Sequence, residues 1–239
     1  MAVVTDLRRL LNFKKLIILF LINLCVDIIS ISNVYSLKPS GIDIKNAGDE
    51  VIFFAFDRYF CVDISIISFA MYICLFAFIA FCVINRISED NQKFGIFYLT
   101  RYSRKSYISG KLKSTVIFAF FVCEFSVFQS FLSHRIMKIT VLPEQYITVM
   151  LLSFILAISV SLIGMSIYSV IKNNNIAFLI TVCLFTAQSS ILTQNQVKIP
   201  TAQNISDYYI YPLILLAAGI ILFVIVTYKN DFITTKIKE

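Results

Sequence analysis

Apolar positions along this chain come in long runs rather than in alternation. Six stretches, at about residues 16–35, 63–84, 114–133, 146–171, 176–193 and 209–228, are nearly continuous Leu, Ile, Val, Phe and Ala with scattered Ser, Thr, Gly and Cys. A helix needs about 20 such residues to cross the hydrocarbon of a bilayer. Barrel strands are about half as long and alternate strictly between apolar and polar residues, which these runs do not. The pattern predicts an all-α membrane protein, a single transmembrane domain over 1–239 with six transmembrane helices. Composition agrees: 59% of residues are hydrophobic, 15% are charged and the mean hydropathy is +0.83, far from an ordinary soluble domain.

Charge sets the expected orientation. Arg8, Arg9, Lys14 and Lys15 precede the first run, which is longer than a signal-peptide core and is followed by no small-residue cleavage site. It reads as a retained helix. Residues 1–15 read as a short arm, with Leu7, Leu10, Leu11 and Lys14 at helical spacing to lie on anionic headgroups, or as a basic tail that only orients the chain. With both termini inside, the cytoplasmic parts hold fifteen Lys and Arg and the outer parts six. That is the positive-inside arrangement, and it places the chain in a cell membrane as a multi-pass protein. The sequence pI near 9.1 is then a topology signal; there is no folded soluble surface for a nucleic-acid-binding patch. A bias toward Ile, Asn and Lys points to an AT-rich bacterial genome, in which the sequon at Asn204 has no meaning.

A search for catalytic constellations finds none. Cys25, Cys61, Cys74, Cys82, Cys123 and Cys183 lie in or beside apolar runs, with no CxxC and no His at ligand spacing, and read as small buried hydrophobes. The single histidine, His134, adjoins Ser133, but neighbours on a helix point about 100° apart and cannot form a nucleophile–base pair. No metal-binding motif is present. Gly110-Lys111 lacks both the preceding glycine and the following Ser/Thr of a phosphate loop. Two acids do fall mid-run, Asp27 in the first and Glu124 in the third. A carboxylate at membrane depth is costly. Either the pair lines a polar pathway, or each is neutral and hydrogen-bonded to neighbours such as Asn23 or Ser126.

The connections are unequal. The second inner connection is a four-residue turn, 172–175, whereas residues 85–113 form a long loop ending in KFGIFYLTRYSRKSYISGKLK. If 93–105 is helical, Phe94, Tyr98 and Tyr102 stack at i, i+4 and i+8 beside a face of Lys93, Phe97, Arg101, Arg104 and Lys105. The alternative is a solvated basic face. The order Glu89, Gly95, Leu99-Thr100-Arg101, Arg104-Lys105 and Gly110-Lys111-Leu112, placed between the second and third of six runs, resembles the permease subunits of type-2 ABC exporters.

The resemblance implies a transport subunit without its own engine. Glu89, Phe94, Gly95, Phe97, Arg101, Arg104 and Lys105 would form an amphipathic coupling helix that docks on an ATPase. Gly110 would let the chain turn into the third span, and Lys111 would anchor at the membrane interface. The implied partners are two cytosolic ABC ATPase subunits that bind ATP and Mg, and a second permease, identical or paralogous. The implied cargo is a peptide or other amphipathic molecule, in bacteriocin or lantibiotic export or self-immunity. A long outer loop, 36–60, departs from the family pattern. The competing class is a six-span scaffold or sensor whose basic loop binds lipid or a regulatory partner.

Overall fold

Each predicted apolar run lies on a helix wherever its residues are described. A computed structural model describes residues 2–36, 66–90, 104–136, 143–194 and 205–229, and these form seven α-helices and no strand. They are α1 (Ala2–Leu10), α2 (Phe13–Ser36), α3 (Ile66–Glu89), α4 (Arg104–Ile136), α5 (Pro143–Ile171), α6 (Asn174–Gln194) and α7 (Ile205–Lys229). The fold is therefore all-α. On α5, the stretch Phe154–Ile171 is long and apolar enough to cross a membrane, and shorter apolar stretches lie at Asn174–Phe185 and Leu213–Val226.

Helix boundaries differ from the apolar runs at one place that matters. The loop expected over 85–113 is helical at both ends, because α3 continues to Glu89 and α4 begins at Arg104. Nothing in Asn85–Glu89 stops a helix, and the first glycine after residue 84 is Gly95. A charged side chain ends an apolar stripe without ending backbone hydrogen bonding. Gly110, expected to turn the chain, lies inside continuous helix; a side chain added there would meet nothing within 4 Å. The expected coupling helix, with Phe94, Gly95, Phe97 and Arg101, lies outside the described residues, as does the expected outer loop 36–60 apart from Ser36, which ends α2. Arg104 and Lys105 open α4, and their side chains are likewise outside the description.

The core forms around α5, which packs against α3, α4, α6 and α7, while α2 lies on α3 and α4 and α1 lies on α4 and α3. Ile79 and Val83 from α3, Phe118 and Val122 from α4, Val160 and Met165 from α5 and Ala177 from α6 are fully buried there. Small residues allow the close approach. A Cβ at Gly164 would sit 3.5 Å from Ile84, and one at Gly219 3.4 Å from Leu162 Cβ, the spacing of helices brought together by glycine.

Apolar side chains face outward as well as into the core, and some polar ones are enclosed. Phe13, Ile18, Phe120, Phe128, Leu179, Ile214 and Ile221 are exposed, while Asn23, Asp27, Arg86, Ser159, Ser161 and Thr181 are buried. The buried hydroxyls of α5 bond within their own helix: Ser159 to the Ile155 carbonyl, Ser161 to Ala157, Ser166 to Leu162 and Ser169 to Met165, all at 2.7–2.8 Å.

The turn from α5 to α6 is two residues long. Lys172 takes φ 55°, in the left-handed region that ends helices, and its N–H donates to the Tyr168 carbonyl at 2.7 Å. Asn173 caps α6, its Oδ1 accepting from the backbone N–H of Asn175 and Ile176 at 3.1 and 3.2 Å. Asn174 Nδ2 then donates to Asn85 Oδ1 at 3.3 Å. That bond puts this turn at the same end of the bundle as the C-terminus of α3.

Candidate functional site

At that end, α1 and the facing ends of α3 and α4 bury a mixed-charge cluster. Asp6 comes from α1, a helix that the sequence required only to be amphipathic. Its Oδ1 accepts from Lys111 Nζ at 2.5 Å and its Oδ2 from Ser114 Oγ at 2.9 Å, with Arg86 Nη1 at 3.7 Å from Oδ2. One turn along the same face, Arg9 reaches both acids at the end of α3. Its Nη1 donates to Asp90 and its Nη2 to Glu89, each at 2.6 Å. Lys111 also pairs with the second oxygen of Asp90, so the roots of the α3–α4 connection are tied directly to each other.

Arg86 is the innermost member, with its side chain 1% exposed. Its guanidinium fork donates to Ser114 Oγ at 3.0 Å and Thr115 Oγ1 at 2.9 Å, and lies 3.6 Å from Met165 Sδ on α5. The planar fork suits two adjacent hydroxyls as a lysine would not. Thr115 in turn donates to the Lys111 carbonyl at 2.8 Å. Three cations (Arg9, Arg86, Lys111) meet three anions (Asp6, Glu89, Asp90), so the described cluster is neutral. Neutrality matters because an unbalanced buried charge costs several kcal/mol.

The cluster perturbs its own cations. Burial, reinforced by the Arg86 charge, holds the Lys111 ammonium below its ordinary range against the opposing pull of Asp90 and Asp6. Burial also works to lower Arg9, but the bonds to Glu89 and Asp90 and their charges outweigh it, and Arg9 is raised.

Of the residues expected to dock a partner, Glu89 is half exposed and bonded to Arg9, and Gly110 is half-buried within α4. Lys111, expected to anchor at the membrane interface, is instead buried between Asp6 and Asp90. The two carboxylates supply what headgroups would have supplied, without exposing the ammonium. Of the two acids that fall within apolar runs, Asp27 is buried and Glu124 half-buried. The two polar residues named as neighbours for them bond to each other, Asn23 Nδ2 donating to Ser126 Oγ at 3.0 Å across α2 and α4.

Sequence reasoning missed Asp6 and Asp90, and counted Arg9 and Arg86 only as topology cations. One signal was available: Asp6 is the sole acid before Asp27, which is unusual in an arm meant to rest on anionic lipid. No group of His, Cys, Asp and Glu suited to a metal occurs among the described residues. Compared with family models, curated proteins and solved structures, the chain matches none.

Proposed function

We propose that this chain is the membrane-embedded permease subunit of an ATP-driven exporter, resembling the type-2 ABC permeases, with six spans and both termini in the cytoplasm. It would work with two cytosolic ATPase subunits, which hold the ATP and Mg, and with a second permease, identical or paralogous. Its cargo would be a peptide or other amphipathic molecule, and the chain itself would catalyse no reaction. The observation that carries the reading is the rigid footing of the α3–α4 connection. Asp90 and Lys111, one at each root, are bonded to each other and to α1. A segment that receives force from a partner needs such a footing to pass the force to the helices as rigid-body motion. The α5–α6 turn lies at the same end, as an inner face with one long and one short connection requires. The apolar exterior supports immersion in lipid, and the basic, aromatic order of residues 93–105 supplies the docking chemistry.

Co-purification with a co-expressed ABC ATPase tests this. The chain alone should hydrolyse no ATP, and Arg101→Glu with Arg104→Glu should release the ATPase and abolish stimulated turnover. Unchanged binding and turnover would refute the docking assignment. Cysteines placed at 45 and 104 should label from opposite sides of the membrane; labelling from one side would end the six-span topology.

A further inference from the structure

We infer that the corner between α1 and α2 binds anionic phospholipid headgroups, through the side of α1 turned away from the charge cluster. The inference rests on the membrane embedding proposed above. Asp6 and Leu10 are turned into the bundle, and Arg9 follows them to reach Asp90. Successive side chains on a helix step round by about 100°, so Val4 and Arg8 share the opposite face, and both are exposed. The sequence alone put the leucines of this arm against the membrane. In the structure Leu10 is fully buried, with Leu7 and Leu11 partly buried against the core, so the face left for lipid is a different one.

The corner holds that face in place. α1 ends at Leu10 and α2 begins at Phe13, with the Leu16 N–H donating to the Asn12 carbonyl at 3.0 Å and Lys15 Nζ to the Arg9 carbonyl at 2.8 Å. Lys15 is thereby drawn onto α1, whereas Lys14 stays exposed beside Phe13, itself 75% exposed. From Phe13 an exposed apolar stripe runs along α2 through Ile17, Leu21, Leu24 and Ile28, steps of three and four residues that keep to one side of a helix.

Charge completes the surface. Arg8 and Lys14 stand on either side of the corner, and neither forms an ion pair among the described residues. Asp6, the only acid before Asp27, is buried, and the half-exposed Glu89 is taken by Arg9. The exposed corner is therefore cationic and sits at the head of a lipid-facing stripe. A basic patch at the inner edge of a span, with apolar surface beyond it, matches a phosphodiester headgroup and its acyl chain together. An acidic protein would satisfy the two cations and leave the stripe uncovered. α1 is then held from both sides, by headgroups at Arg8 and Lys14 and by the roots of the α3–α4 connection at Asp6 and Arg9.

The chain contains no tryptophan, so Phe13→Trp places a single fluorescent reporter in the surface. The full chain carrying it is put into nanodiscs of phosphatidylcholine with a minority of phosphatidylglycerol. Bromine, which quenches tryptophan on contact, is carried on the acyl chains of one lipid or the other. Brominated phosphatidylglycerol should quench at least about twofold more than its mole fraction predicts, and the excess should fade at high salt. Adding Arg8→Gln with Lys14→Gln should bring quenching down to the mole-fraction value, while Arg8→Lys with Lys14→Arg should keep the excess. Both pairs leave the buried cluster intact, which an unchanged helical signal checks. Quenching by each lipid in proportion to its amount, or an excess that survives the glutamine pair, would overturn the lipid surface alone. No quenching by either lipid would overturn the membrane embedding with it.

Discussion

Arg86 shows how much one side chain can decide. It sits at the end of an apolar helix, almost fully buried, and bridges α3 to α4 and α5 through two hydroxyls and a sulfur. Replacing it by methionine fills similar volume but leaves the cluster one negative charge in excess and two hydroxyls without their donor. The expected loss is about 3–5 kcal/mol, the range for breaking a buried ion pair by removing one partner. Arg86→Lys restores the charge but not the fork and should recover only part of it. Unfolding in detergent, followed by loss of helical signal, measures both; a methionine variant as stable as wild type would show that the cluster contributes nothing. In the sequence, Arg86 was indistinguishable from the other loop cations, because what buries it lies 28 and 29 residues away at Ser114 and Thr115. Asp6 was hidden more thoroughly, its partners Lys111 and Ser114 being 105 and 108 positions distant.

At the scale of the elements, apolar run length was a reliable guide to where helices lie and a poor guide to where they end. The runs on α5 and α6 match to within a few residues, because the break between them is set locally by the Lys172 backbone and the Asn173 cap. Around α3 and α4 the runs stop while the helices continue, since charge rather than a helix breaker marks the change. Periodicity also says nothing about which pair of helices comes closest. The structure puts Gly219 of α7 against Leu162 and Ile163 of α5, with the Ser159 carbonyl 3.6 Å from where a Cβ would stand. An alanine there meets ordinary van der Waals contacts and should be tolerated. Gly219→Leu should push α5 and α7 apart, at about 1–3 kcal/mol, the usual cost of overpacking. Thermal unfolding of the two variants separates the cases, and a leucine variant melting with the alanine one would mean that this contact is looser than its geometry.

For the molecule as a whole, the division between bonds inside a helix and bonds between helices has a mechanical consequence. The described hydroxyls of α5 (Ser159, Ser161, Ser166 and Ser169) all bond to carbonyls of α5 itself. They present their neighbours with carbon and already-satisfied oxygen, so none of these four bonds resists motion of α5, and the Arg86 contact to the Met165 sulfur ties α5 to α3. Asn23 and Ser126 do the opposite, pinning α2 to α4, and the Lys111–Asp90 pair pins α4 to α3. The bundle thus joins α2, α3 and α4 by side-chain bonds, whereas α5 is held in it chiefly by apolar packing and by the Arg86 contact to Met165. Changing Ser159, Ser161 and Ser166 together to alanine should leave stability within about 1 kcal/mol, since each bond lost is local and weak. Asn23→Leu should cost about 1 kcal/mol by itself, the scale of a bond between helices in a membrane. A triple-alanine variant less stable than Asn23→Leu would mean that these hydroxyls hold α5 to its neighbours as well.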